Sequence, residues 1–247
     1  HGWFWQIDTY EFRDMGYVYA SEFVDEETAA AEFVAHCDGD VAAEELTAYE
    51  FESGYYATPW QGNCVTIGNA VGFVEPLQST GLTANAMAAR ELANLLASFG
   101  TVAPDGAREL YNGWVERLWE SIYDFVSVHY RHAPGDTAFW EAAREIPATD
   151  RVARIEAHFD RNGYDIKTNP LENRGAASTP DTLIFPILGF YTVMRNMGTE
   201  SAFYEDNDIP VSETTRAELE RFYDAQAETV EQLFTPEEVY AGLLDSP

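Results

Sequence analysis

The segment Gly62-Asn63-Cys64-Val65-Thr66-Ile67-Gly68-Asn69-Ala70-Val71-Gly72-Phe73-Val74-Glu75-Pro76-Leu77-Gln78-Ser79-Thr80-Gly81-Leu82 concentrates the residue types that can do chemistry in this chain. It reads as a β-branched strand, a glycine-rich turn, an extended Glu-Pro stretch and a Ser-Thr-Gly helix start. The first N–H groups of a helix have no intrahelical acceptor and sit at the positive end of its dipole. The Ser79-Thr80-Gly81 step is therefore a candidate anion site. Gly72 and Gly81 carry no side chain where a flat ligand would approach the backbone. On local pattern alone, an ordinary strand–loop–helix connection reads equally well. Elsewhere His129 and His132 stand at one-turn spacing with no nearby acid motif, which suits a plain helix face better than a metal pair, and no metal site is expected. The sole lysine, Lys167, lies in a polar turn beside Asn169-Pro170, a poor setting for a buried catalytic amine. Neither a G-x-G-x-x-G fingerprint, a Walker loop nor a G-x-S-x-G elbow occurs, and nothing local supports a Ser-His-Asp site.

The elements that must position these residues are mixed up to about residue 100. Trp3-Phe4-Trp5-Gln6-Ile7 and Gly16 to Val24 have strand composition, and Asp25 to Cys37 reads as a helix with acids in its first turn. Leu46 to Tyr56 is expected as a strand and Asn63 to Ile67 as a short buried one. The helix after the Ser-Thr-Gly step runs roughly from Leu82 to Phe99. Beyond Gly100 the pattern is helical. Asp105 to His132 is expected as one long helix with Leu110, Trp114, Leu118, Ile122 and Phe125 on its apolar stripe. Thr137 to Glu145 and Asp150 to Asp160 follow as shorter helices, with turns at Asn162-Gly163 and Asn169-Pro170. Thr182 to Met197 is apolar but broken by Pro186 and Gly189. Ser212 to Phe234 reads as a helix with Ser212 and Thr215 as caps, and Thr235-Pro236 starts a last one.

The chain has 247 residues, 46% of them hydrophobic and 14% aromatic, enough for a substantial core in one large or two small domains. Its 43 acidic residues face 14 basic ones, a net charge of -29, and 13 of the basic residues are arginines. Such a charge repels nucleic acid and anionic lipid, so neither is an expected partner. Acid spread along the whole chain suits multimolar salt, where screening makes self-repulsion cheap, and points to a halophilic protein. Cys37 and Cys64 are too few for a disulfide framework, no signal segment is visible and no apolar run is long enough for a bilayer. These features favour a cytoplasmic protein. The chain begins His1-Gly2-Trp3, which is expected of the later part of a longer polypeptide.

Three ordered blocks resemble the flavin-dependent halogenases, the tryptophan-halogenase-like family. Gly2-Trp3-Phe4-Trp5-Gln6-Ile7 is similar to that family's G-W-x-W-x-I-P signature, Asn63 to Gly81 to its N-C-V-x-I-G…F-x-E-P-L-E-S-T-G block, and Asp124 to Tyr130 with Asp136 to Trp140 to its D-F-x-x-x-H-Y…D-T-x-F-W pattern. The resemblance implies an α+β fold: the C-terminal part of an FAD-binding, monooxygenase-like module over residues 1–100, then a mostly helical substrate region over 101–247. It also implies that the chain is the second half of such an enzyme, inactive alone, with the pyrophosphate fingerprint and active-site lysine in the missing N-terminal half. In the implied chemistry reduced FAD from a separate flavin reductase, O2 and chloride or bromide yield hypohalous acid, which the lysine aims at an electron-rich ring. By resemblance Thr80 and Gly81 bind the halide through backbone N–H groups. Gly68, Asn69, Ala70 and Val71 form a flavin-contacting turn, with Glu75 and Pro76 near the flavin. Trp3 and Trp5 separate flavin from substrate or simply pack, and Tyr130, Phe139 and Trp140 hold an indole-type substrate.

Two positions depart from the family pattern. Gln78 stands where the tryptophan-specific members carry a glutamate that assists the lysine or accepts the ring proton; an amide keeps the shape but is no base. Asp8 replaces the usual proline. These departures point to weak action on free tryptophan and another aromatic substrate. A flavin-dependent aromatic hydroxylase and a non-catalytic binding module remain the alternatives. Unpaired sheet edges and exposed apolar surface are association liabilities, and a homodimer is one expected outcome.

Overall fold

A computed structural model describes residues 1–9, 12–37, 41–99, 104–163 and 185–206, with 217 and 221 besides. The expected helices over Ser212–Phe234 and from Thr235, the Asn169-Pro170 turn and Lys167 lie outside the described residues. The fold is α+β, and the chain divides into two compact units, one holding His1–Leu46 and the other Thr47–Glu205.

In the first unit β1 (Gly2–Asp8) pairs antiparallel with β2 (Arg13–Tyr19), Trp3 opposite Val18 and Trp5 opposite Gly16. The second strand ends earlier than its composition suggests, because the Phe23 N–H turns back to the Ala20 carbonyl at 2.9 Å. Helix α1 (Glu26–His36) is capped by Asp25, whose carboxylate accepts from the Thr28 N–H at 2.8 Å. Strand side chains alternate between faces. Phe4 points toward α1, stacked on His36 at 4.0 Å and on Phe33 at 6.0 Å, so Trp3 and Trp5 occupy the opposite face.

The second unit is built on α3 (Asp105–His132), the 28-residue helix expected over those residues. Its buried stripe runs through Ala107, Tyr111, Val115, Leu118 and Ile122, at helical spacing. Leu110, expected on the stripe, is 64% exposed; Tyr111, one residue on, is fully buried in its place. The N-terminal part of α3 forms a core with Ala84, Ala88 and Leu95 of α2 (Thr80–Phe99), together with Trp60 and Val71, so this core crosses residue 100. The C-terminal part of α3 contributes Phe125 and Val128 to a second core. It is completed by Val152, Ile155 and Phe159 of α5 (Asp150–Asn162) and by Ile187, Phe190, Tyr191 and Met194 of α6 (Ile187–Asn196). Helix α4 (Ala138–Arg144) sits between α3 and α5 in the chain, and α7 (Ala202–Asp206) follows α6. Gly163 caps α5 with φ +56°, which satisfies the Asn162-Gly163 turn reading.

The strands of this unit are shorter than expected. Of Leu46–Tyr56 only β3 (Gly54–Tyr55) is paired, with β6 (Gly72–Phe73). Of Asn63–Ile67 only β5 (Cys64–Val65) is paired, with β4 (Trp60–Gln61), and it is not buried: Cys64 and Ile67 are exposed. Both stretches have β-prone composition, but each finds a partner only two residues long. Gly72 serves chain packing rather than ligand approach, since a Cβ there would lie 2.6 Å from the Tyr55 Cβ and 2.9 Å from the Gly54 carbonyl.

Candidate active site

The candidate anion turn is the sharpest local feature of the second unit. A 3₁₀ turn over Leu77–Ser79 leads directly into α2. Gln78 and Ser79 adopt φ of 55° and 52°, a left-handed conformation that non-glycine residues enter at a cost of about 1–2 kcal/mol each. Both are exposed, so no burial of their side chains compensates. Thr80 is buried; its hydroxyl donates to the Leu77 carbonyl at 3.1 Å and its backbone N–H turns back to the same carbonyl, so both of its donors are engaged within the turn. A Cβ at Gly81 would meet nothing within 4 Å, so the first turn of α2 is open there. That turn contains no acidic residue, as in α6, whereas α1, α3, α4 and α5 each place one or two acids in theirs. In a chain with 43 acids, the positive end of the α2 dipole is left uncompensated.

The glycine turn packs on the same helix. Gly68–Ala70 forms a 3₁₀ turn against α2, Gly68 having φ +68° and facing Asn85. Asn69 and Ala70 are exposed, as is Pro76. Val71 differs from its neighbours: its side chain is 2% exposed in the core, its N–H donates to the Gly68 carbonyl and its carbonyl accepts from the Tyr56 N–H at 2.8 Å. Its role is to anchor the turn.

Glu75 and Tyr130, named separately in the sequence, meet here. The Tyr130 hydroxyl donates to the buried Glu75 carboxylate. Tyr130 also carries the expected aromatic wall, with the Phe139 ring 6.1 Å and the Trp140 ring 5.8 Å away and those two 4.8 Å apart, edge to face. Trp140 lies over Gly135, where a Cβ would fall 2.0 Å from its ring. Arg144 donates to the Ala133 and Gly135 carbonyls at 2.8 and 2.7 Å and so fixes the turn that carries Asp136.

Tyr130 and Glu75 open on a cleft of about 850 Å³ between the β3–β6 ribbon, α3 and the start of α5. Sequence reasoning missed its other walls. Tyr55 stacks on Trp119 (6.4 Å, 9° between planes), and Asp124, 2% exposed, accepts from Thr149 and Arg151 at 2.7 Å each. The signal for Asp124 was a carboxylate inside the apolar run of α3, which demands a buried partner. Below the cleft Arg131 grips Glu156 with two N–H bonds of 2.9 and 3.1 Å, and His132 joins Glu156 (3.0 Å) to Thr199 (2.8 Å). Burial pushes the Glu156 carboxyl up, but His132 and Arg131 more than offset this and hold it below its ordinary value.

His129 and His132 do not converge on one site. His129 is buried, with Nδ1 on the Phe125 carbonyl at 2.8 Å and Nε2 without a hydrogen-bond partner among the described residues; burial lowers its pKa. Among the described residues no group of histidine, cysteine and carboxylate side chains has the arrangement of a metal site. Trp3 and Trp5 belong to the other unit, both half-buried on β1, and the Trp5 indole covers Gly16 across the hairpin, where a Cβ would fall 2.3 Å from the ring. Gln6 donates to Asp8, which also accepts from Arg13, so Asp8 closes the ribbon with polar contacts. No described helix is long and apolar enough to cross a membrane.

Comparison with known proteins shows the family. The family model for tryptophan halogenase matches residues 1–208, and the chain belongs to that family. Tryptophan 7-halogenase RebH of Lentzea aerocolonigenes is 33% identical over 150 residues, 60% of this chain and 28% of the relative. Tryptophan 6-halogenase ThaL of Streptomyces albogriseolus is 30% identical over 207 residues, 82% of this chain and 36% of the relative. Among solved structures, Tar14, a tryptophan C-6 flavin-dependent halogenase (chlorinase) from taromycin biosynthesis, superposes with a TM-score of 0.78 at 27% identity, over 97% of this chain and 46% of that one. The chain thus spans about a third of the length of these curated relatives and under half of the solved structure.

Proposed function

We propose that this chain contributes the halide turn, a flavin-facing turn and the aromatic substrate wall of an FAD-dependent halogenase acting on an electron-rich, indole-type ring. The observation that carries the proposal is the acid-free, open start of α2 with the Gly68–Ala70 turn packed on the same helix. The residues fit a flavin edge: Gly81 is open, Gly68 leaves a Cβ-sized gap before Asn85, and Asn69 supplies an exposed amide. FAD, reduced by a separate reductase, would supply the O2-dependent oxidation of chloride or bromide. The chain's own part is to hold that halide at Thr80 and Gly81, where the helix dipole favours an anion and the Thr80 N–H would be shared with the Leu77 carbonyl it bonds. Tyr130, Phe139 and Trp140 then face and orient the ring, with Tyr130 fixed by its bond to Glu75. Residues 1–100 serve the flavin side and 101–247 the substrate side, and Trp3 and Trp5 keep flavin and substrate apart. Gln78 is a hydrogen-bonding group and not a proton acceptor, which favours a substrate other than free tryptophan. For the complete enzyme, titration with FAD in molar KCl, followed by flavin fluorescence, is expected to saturate, and turnover with reductase and bromide is expected to give a brominated product; this chain alone is expected to give none. Saturable binding with a hydroxylated product that ignores bromide would replace halogenation by hydroxylation. A complete, folded enzyme whose FAD affinity is unchanged by Asn69→Ala with Gly68→Val would sink the flavin-facing assignment of Gly68–Ala70.

A further inference from the structure

The cleft beside Tyr130 sorts ligands by charge as well as by shape. Its aromatic surface comes from the parallel Tyr55–Trp119 pair, from Tyr123, which is 44% exposed at the mouth, and from Tyr130. At about 850 Å³ it falls in the range of sites for ligands well above an indole in size. Asp124 and Arg151 also line it, but their 2.7 Å contact cancels their charges locally. Of the remaining charged groups, Glu120 and Asp150 are carboxylates and Arg154 the guanidinium, with Glu75 adding a carboxyl behind Tyr130. Even with Glu75 set aside, acid outnumbers base among the described residues that line the cleft, on a chain whose net charge of -29 has the same sign.

We infer that this cleft selects aryl ligands that carry a cationic amine and no free carboxylate, an arylalkylamine or a carboxylate-masked aryl amino acid, over the free zwitterionic amino acid. A protonated amine is attracted both by ring faces and by the cleft's carboxylates, while a ligand carboxylate meets like charge across a partly desolvated space. The inference deepens the proposed function and rests on Tyr130 marking the substrate wall. Binding is tested without flavin, by calorimetric titration of the protein with tryptamine, indole-3-propionate and L-tryptophan in 0.5 M KCl. Tryptamine is expected to bind about tenfold or more tighter than indole-3-propionate, with tryptophan between, and the ratio is expected to shrink in 2 M KCl as screening shortens the reach of charge. Glu120→Gln, at an exposed rim position, is expected to narrow the ratio about two- to threefold with unchanged thermal stability; Asp150→Asn serves as the second variant. Equal binding of amine and acid, tighter binding of the acid, or no binding of either by the folded protein would overturn charge selection. Loss of FAD binding with the amine preference intact would instead remove the flavin reading and leave the cleft's selectivity standing.

Discussion

Individual residues carry three separable consequences. Gln78 and Ser79 hold left-handed backbone without being glycine, at the entrance of α2, the helix start proposed to hold the halide. Strain of this kind persists where surrounding structure over-determines it and is concentrated at functional sites. Ser79→Gly is expected to raise stability by about 1 kcal/mol in chemical denaturation, by relieving that strain, and to lower halide-dependent turnover. Gln78→Glu restores a base with the same reach, and about tenfold faster turnover of free tryptophan by the complete enzyme is the expected result; an unchanged rate would show that this side chain does not touch the reaction. Asp124 is a buried carboxylate held by Thr149 and Arg151, so Asp124→Ala is expected to cost about 3–5 kcal/mol in urea unfolding, because the Thr149 hydroxyl and the Arg151 guanidinium lose the charged acceptor they share. His129 is the third case. Its pKa is lowered by burial, so below its ordinary value of 6.5 the unfolded chain takes up a proton that the folded chain refuses. Stability is full above about that pH and falls as pH drops toward the depressed native value. Glu156, also lowered, is stabilising above its ordinary 4.5 and loses that contribution only further into acid. Denaturant midpoints measured from pH 8 to 4 are therefore expected to decline first below about 6.5, and His129→Leu is expected to remove that first limb while sparing the second.

At the scale of elements, the long helix was readable because its ends and period agree. Asp105 opens it, His129, Arg131 and His132 close it, and apolar residues recur every three or four positions between. The period alone did not select which of two adjacent residues faces the core: Leu110 and Tyr111 are both apolar enough, and the core that includes Ala84, Ala88 and Trp60 takes Tyr111, whose ring meets Trp60 edge to face at 5.7 Å. Short strands were misread for the opposite reason, since strand propensity reports a side chain's fit to a sheet that the tertiary fold must first supply. The β4–β5 hairpin illustrates what takes the sheet's place. Asn112 of α3 accepts from the Trp60 N–H at 2.9 Å and donates to its carbonyl at 3.1 Å, acting as a one-residue partner strand. Asn112→Ala is expected to cost about 1–3 kcal/mol, since it orphans two backbone groups of a buried residue. It is also expected to raise hydrogen exchange in Trp60–Val65 before it does so in α3.

For the whole molecule the dominant quantity is charge. At 0.1 M salt the Debye length is about 10 Å, and at 1 M about 3 Å, so repulsion among 43 acids is largely removed only in concentrated salt. The thermal midpoint is expected to climb steadily from 0.1 to 2 M KCl; a flat profile would mean the acidity reflects no adaptation to salt. Length, charge, the ordered motif blocks, the α+β character and the periods and caps of the long helices were determined by the amino-acid sequence itself, because they depend on neighbours a few residues apart. The joining of Glu75 to Tyr130, the burial of Asp124 against Arg151, the retreat of Val71 into the core and the cleft that Tyr55 shares with Trp119 were decided by tertiary structure. These contacts link residues tens of positions apart, and only the packing of α2, α5 and the β3–β6 ribbon on α3 brings their atoms within reach.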